Sequence, residues 1–168
     1  MAIRGFTTDI FLTMVINSGL LVASEPELHG GKLKEISSLI AGYLEVIDIT
    51  RGDYHAFTSQ GKSKTYEGAR SVFKDMGYEM DATVMARSKK KKILVVIGPN
   101  HHLASQTRIN NVVKNTMKIR QELYETAKKI ADELEARFFR HDDSFLFDES
   151  KGNDMVGIMQ HHLAKLRK

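Results

Sequence analysis

Apolar and polar positions alternate along this chain in a few distinct rhythms. Phe11 to Ile16 is an apolar run interrupted only by Thr13, and Leu20 to Ser24 is a second run. Asn17-Ser18-Gly19 between them is a turn signal, so the pair predicts a β-hairpin. Leu33, Ile36, Ile40, Tyr43, Leu44 and Ile47 recur at three- and four-residue steps, which predicts an amphipathic helix. Ala69, Val72, Phe73 and Met76 predict a short helix over 65–76, capped by Gly77. Tyr78 to Arg87 then alternates, with Tyr78, Met80, Ala82, Val84 and Ala86 as the inward set, as a half-buried strand requires. Ile93 to Ile97 is continuously apolar and predicts a central strand, ended by Gly98-Pro99.

No breaker occurs from Ser105 to Arg137, and Ile109, Val112, Thr116, Leu123, Ile130 and Leu134 keep an apolar stripe. The expectation is one helix of some 30 residues, roughly 45–50 Å long. Such a helix exceeds the diameter of a small domain, so it should project, bend or pack on another chain. A loop over 142–151 carries Phe145-Leu146-Phe147, and Met155, Ile158, Met159, His162 and Leu166 predict a last helix over 154–166.

The predicted class is α/β of the α+β kind: a mainly antiparallel sheet of two hairpins packed by helices, with a long C-terminal helix and a short terminal one. Residues 1–104 form the α/β core. Residues 105–168 form a helical arm, loop and terminal helix continuous with it, within a single domain. The length of 168 residues suits one domain with its own core. Apolar residues make up 42% and charged residues 27%, which excludes a disordered chain.

Cysteine is absent, which excludes disulfides, thiol nucleophiles and thiolate metal sites and fits a reducing compartment. The segment from Met1 lacks the layout of a signal peptide, and no apolar run approaches the roughly 20 residues of a membrane span. A cytoplasmic protein without membrane insertion is therefore expected. Charge is uneven: residues 1–88 carry net −2 and residues 89–168 net +6. A basic excess of this kind suits nucleic acid or an acidic protein as partner.

Candidate chemistry is sparse. Gly98, Asn100, His101 and His102 follow a central strand and precede a helix, so their backbone N–H groups could meet a small anionic ligand. The Gly-x-Gly-x-x-Gly spacing is missing there. Gln60-Gly61-Lys62-Ser63 lacks the earlier glycine of a phosphate loop, because position 56 is alanine. The pairs His101-His102 and His161-His162 lack the i,i+4 spacing of a helical metal site, so neither a metal nor a cofactor is predicted. Asp81 beside the acid-free run 93–97 cannot supply the converging carboxylates of a metal-dependent nuclease. No catalytic residue can be nominated. Lys89, Lys90, Lys91 and Lys92 form a cationic hairpin tip that could grip phosphates. No aromatic residue interleaves it for base stacking.

The segment Phe11-Leu-Thr-Met-Val-Ile-Asn-Ser-Gly-Leu-Leu-Val-Ala-Ser24, the helix over 32–47, and Tyr78 to Gly98 with the helix after it resemble the roadblock / dynein-light-chain family, kin of longin and profilin-like folds. The resemblance implies a non-enzymatic dimer or heterodimer that docks small GTPases or scaffold proteins. Residues 54–77 and the tail after Leu134 have no counterpart in that family.

The leading expectation is thus a non-catalytic protein-interaction or regulatory module that self-associates or binds a protein partner. Its interface would be the stripe Ile109, Val112, Thr116, Leu123, Ile130 and Leu134, with Phe145 and Phe147. The alternatives are a nucleic-acid-binding protein using Lys89 to Lys92 and the basic long-helix face (Arg108, Lys114, Lys118, Lys128, Lys129), and a small-ligand binder or enzyme using Gly98 to His102.

Overall fold

Two hairpins meet through their inner strands. In the computed structural model, which describes residues 9–17, 20–28, 30–31, 34–36, 73–90, 92–139 and 149–167, strand β1 spans Phe11–Asn17 and β2 spans Leu20–Glu25. Strand β3 spans Val84–Arg87 and β4 spans Leu94–Pro99. The sheet order is β2-β1-β4-β3 and every pairing is antiparallel. β1 and β4 pair over six positions, from Phe11 opposite Pro99 to Ile16 opposite Leu94. The β1–β2 register shifts between Val15 and Ile16, a bulge in the first hairpin.

The period of two along each strand splits the core into two layers. Phe11 and Val15 of β1, Val84 and Ala86 of β3, and Val95 and Ile97 of β4 face one side. Helix α2 (Arg120–Phe138) lays Leu123, Ala127, Ile130, Ala131 and Leu134 on that side, and α3 (Glu149–Arg167) adds Met155, Ile158, Met159, Leu163 and Leu166. The other side carries Leu12, Met14, Ile16, Met85, Leu94 and Val96, covered by Leu28, Ile36, Phe73, Met76 and Tyr78. The α+β class with a mainly antiparallel sheet is therefore the architecture. No helix among the described residues is long and apolar enough to cross a membrane.

Four details differ from the sequence expectation. The strand expected over 78–87 is shorter: Tyr78 makes a lone bridge to Asn100, Met80–Ala82 is a single 3-10 turn, and only Val84–Arg87 runs as strand. The Thr83 hydroxyl donates to the Glu79 carbonyl at 2.6 Å and the Ala82 N–H to the same oxygen at 3.2 Å. These local bonds capture groups that a ladder would need. Met85, expected to face solvent, is fully buried because the second side of the sheet is covered as well.

The long helix is two helices. Helix α1 spans Gln106–Lys118, and the chain leaves helical geometry at Ile119 (φ −108°, ψ 18°) before α2 begins. No glycine or proline causes this. The Thr116 hydroxyl donates back to the Val112 carbonyl at 2.9 Å and the Ile119 N–H closes a three-residue turn on the Thr116 carbonyl at 3.1 Å. Back-bonding of this kind loosens the regular ladder and bends helices. The last helix also begins at Glu149 rather than at Asp154. Of the helix expected over 32–47 only residues 34–36 are described, and they are helical; the 54–64 stretch and most of the helix expected over 65–76 also lie outside the described residues, while Ile36, Phe73 and Met76 are buried in the second layer.

Tyr78 locks that layer to the sheet. Its hydroxyl donates to the Leu12 carbonyl at 3.0 Å, and its ring meets Phe73 edge-on at 6.5 Å. Burial pushes the phenol well above its ordinary value, which is about 10. The folded state thus holds this proton after the unfolded chain has released it. The stability so contributed is complete below about pH 10 and is lost as pH rises further, at about 1.4 kcal/mol per pH unit. Urea unfolding at pH 9, 10.5 and 11.5 should show this slope in the wild type. Tyr78→Phe should remove that component and cost about 1 kcal/mol at neutral pH.

Candidate binding surface

The Gly98 to His102 loop was the expected ligand site, and its polar groups turn inward. Asn100 is fully buried. Its N–H donates to the Ile10 carbonyl at 2.9 Å, its Nδ2 to the Met76 carbonyl at 3.2 Å, and its Oδ1 accepts the His102 N–H at 2.9 Å. The His101 N–H donates to the Gly77 carbonyl at 2.7 Å and the Leu103 N–H to the Asn100 carbonyl at 3.0 Å. All four N–H groups from 100 to 103 are thus committed inside the protein, and an anion would have to displace one of them.

Two glycines permit this knot. A Cβ on Gly98 would come within 2.8 Å of the Thr83 Cβ, and one on Gly77, at φ +94°, within 2.8 Å of the Asn100 Oδ1. His101 remains exposed, with Nε2 3.9 Å from Glu79 Oε2 across solvent, a pairing of little energetic weight.

The lysine tip is clasped rather than free-standing. Glu135 of α2 is 6% exposed, and its carboxylate accepts the Ser88 hydroxyl, the Lys90 N–H at 2.9 Å and the Lys92 N–H at 3.2 Å. Asp132, one turn earlier, accepts the Lys89 N–H at 2.8 Å. Lys92 Nζ donates to the Phe139 carbonyl at 2.9 Å, at the C-terminus of α2 where a cation is favoured. Lys128 Nζ donates to the Arg87 carbonyl at 2.6 Å. Lys89 and Lys90 are exposed, and Lys91 lies outside the described residues.

The stripe expected to meet another chain is, in the main, this chain's own core. Ile109, Leu123, Ile130 and Leu134 are fully buried, Thr116 is 3% exposed and Val112 is half-buried. The apolar side of the sheet needs cover, and α2 supplies it. Phe145 and Phe147 lie outside the described residues. His162 is also enclosed: its Nε2 meets Glu133 Oε1 at 2.9 Å between α3 and α2, while its Nδ1 has no hydrogen-bond partner among the described residues. An open, polar groove of roughly 890 Å³ runs between these helices beside Glu133, Arg137, Asp154 and His161. Among the described residues, no three His, Asp or Glu side chains converge as metal ligands.

What remains outward is α1. Ser105 caps it, its side chain accepting the Arg108 N–H at 3.3 Å. Ile109 and Thr116 anchor it, and it rests on the Met80–Ala82 turn and only lightly on α2. Gln106, Thr107, Arg108, Asn110, Asn111, Lys114, Asn115 and Lys118 are all exposed. The helix contains no acidic residue. Arg108 pairs with Asp9, and among the described residues Lys114 and Lys118 meet no carboxylate. The three cations are legible in the sequence, whereas the asparagines beside them carry no motif that marks them there. The phase of Ile109, Val112 and Thr116 was the signal that could have placed them on the opposite face.

The Glu135 clasp yields a direct test. Glu135→Ala should cost about 2–3 kcal/mol, because it strands the buried Ser88 hydroxyl and two part-buried N–H groups. Ser88→Ala should cost about 1 kcal/mol. The double variant should fall short of the sum by 0.5 kcal/mol or more, as expected for partners in one network. Denaturant midpoints of the four proteins measure it.

No protein-family model matches the chain, and neither a curated protein nor a solved structure does.

Proposed function

We propose that this protein is a non-catalytic interaction module that engages an acidic partner through the outer face of α1. The observation that carries this is the exposed side of α1, where three asparagines and three cations stand with no acid among them. Asn110, Asn111 and Asn115 are poor helix formers, and Arg108 places a cation in the first turn, where the helix dipole disfavours it. Packing does not require these residues, because all four are exposed. Local rules broken without a packing reason mark functional positions. The groups able to do chemistry elsewhere, Asn100, Glu135 and His162, are engaged in holding segments together.

An acid-free cationic face repels a second copy of itself, so it favours a partner of opposite charge over self-association. The resemblance to roadblock proteins directs the search to small GTPases and scaffold proteins. The side chains on the face direct it to nucleic acid.

Immobilised heparin is a neutral probe of the general claim. The wild type should be retained, and Lys114→Glu with Lys118→Glu should weaken binding tenfold or more at about 50 mM salt. Lys89→Glu with Lys90→Glu, on the clasped tip, should weaken it less. Equal or greater loss from the tip variant, or no retention of the wild type, would overturn the reading.

A further inference from the structure

We infer that the acidic partner is double-helical DNA, with α1 lying in its major groove; this rests on the reading of α1 as the contact element. Arg108, Asn111, Asn115 and Lys118 follow one another at steps of three, four and three residues, so they form one ridge along the exposed face. Cations stand at its two ends and amides in the middle. The helix of 13 residues is about 20 Å long, and Arg108 and Lys118 are about 15 Å apart along its axis. The major groove of B-form DNA is about 12 Å wide and admits one α-helix. The long cationic side chains at the two ends of the ridge can reach backbone phosphates beside the groove, while the central amides lie over the base edges.

Asparagine is the side chain that reads adenine through a donor and an acceptor at once. An acidic protein surface would call for cations throughout and gives no reason for paired amides between them. Asp9, which pairs with Arg108 in the free protein, would yield that guanidinium to a phosphate. The major groove of A-form RNA is too narrow for this helix, so RNA duplex is the discriminating control. The mixed charge of α2 beyond Ile119, with Glu122, Glu125 and Asp132 among its cations, confines the contact to α1.

The experiment is selection from a random 20-base-pair DNA pool at about 150 mM salt, followed by anisotropy titration of the enriched and unenriched duplexes. The wild type should enrich a short motif and bind an RNA duplex of the same sequence at least tenfold more weakly. Asn111→Ala with Asn115→Ala, which raises helix propensity and leaves the buried face intact, should lose the sequence preference tenfold or more while keeping heparin retention. Lys114→Ala and Lys118→Ala should each lower the salt slope by about 1 at every sequence.

Absence of DNA binding at about 50 mM salt with heparin retained would overturn the inference and leave the α1 reading standing. DNA binding without enrichment, indifferent to the asparagine variants, would overturn it in favour of an unselective polyanion surface that an acidic protein fills. Failure on both DNA and heparin would remove both readings together.

Discussion

The pairing of β1 with β4 is the constraint on which the rest of the molecule depends. It joins a hairpin begun at Phe11 to one that ends at Pro99, across a long stretch of intervening chain. Both strands are apolar on both faces, so neither side of the sheet can be left to water. At about 25 cal/mol per Å² of apolar surface, an uncovered side would cost more than a domain's whole margin of stability. Helices α2 and α3 close one side, and the segments around Leu28, Ile36, Phe73 and Tyr78 close the other.

Polar side chains follow from that closure. Once the layers are in place, the buried and part-buried backbone groups of the hairpin tip and of the loop after β4 need partners within the protein. Glu135 does this for the tip and Asn100 for the loop. Each is a buried polar residue with its partners supplied, the condition under which burial of such groups is tolerated. Their chemistry is therefore spent on the fold. Among the described residues, this leaves the outer face of α1, whose inner face Ile109 and Thr116 anchor, as a surface that the two layers do not use.

Much of the sheet was legible in the sequence. Periodicity located both hairpins, the central place of residues 93–97 and the inward stripe of the last helix, because those patterns record burial directly. The break at Ile119 was not legible, since neither glycine nor proline marks it and the turn that closes on the Thr116 carbonyl is a backbone event. The 3-10 turn at Met80 hid inside an alternating pattern, with Thr83 diverting the backbone. The candidate sites were the least legible. Gly98 to His102 and Lys89 to Lys92 are conspicuous as sequence, but what decides their role is the inward direction of Asn100 and the arrival of Glu135 from 45 residues away. The apolar stripe of the arm was read correctly as a stripe, and only the sheet could show that it faces inward.

An acidic ligand titrated into isotope-labelled protein, with amide resonances followed residue by residue, tests the central claim most directly. The account predicts that short duplex DNA shifts Arg108, Asn111, Lys114, Asn115 and Lys118 and leaves Asn100 to Leu103 and the Glu135-clasped tip in place. Shifts concentrated at His101 and His102, or at Lys89 and Lys90 with α1 unmoved, would contradict it.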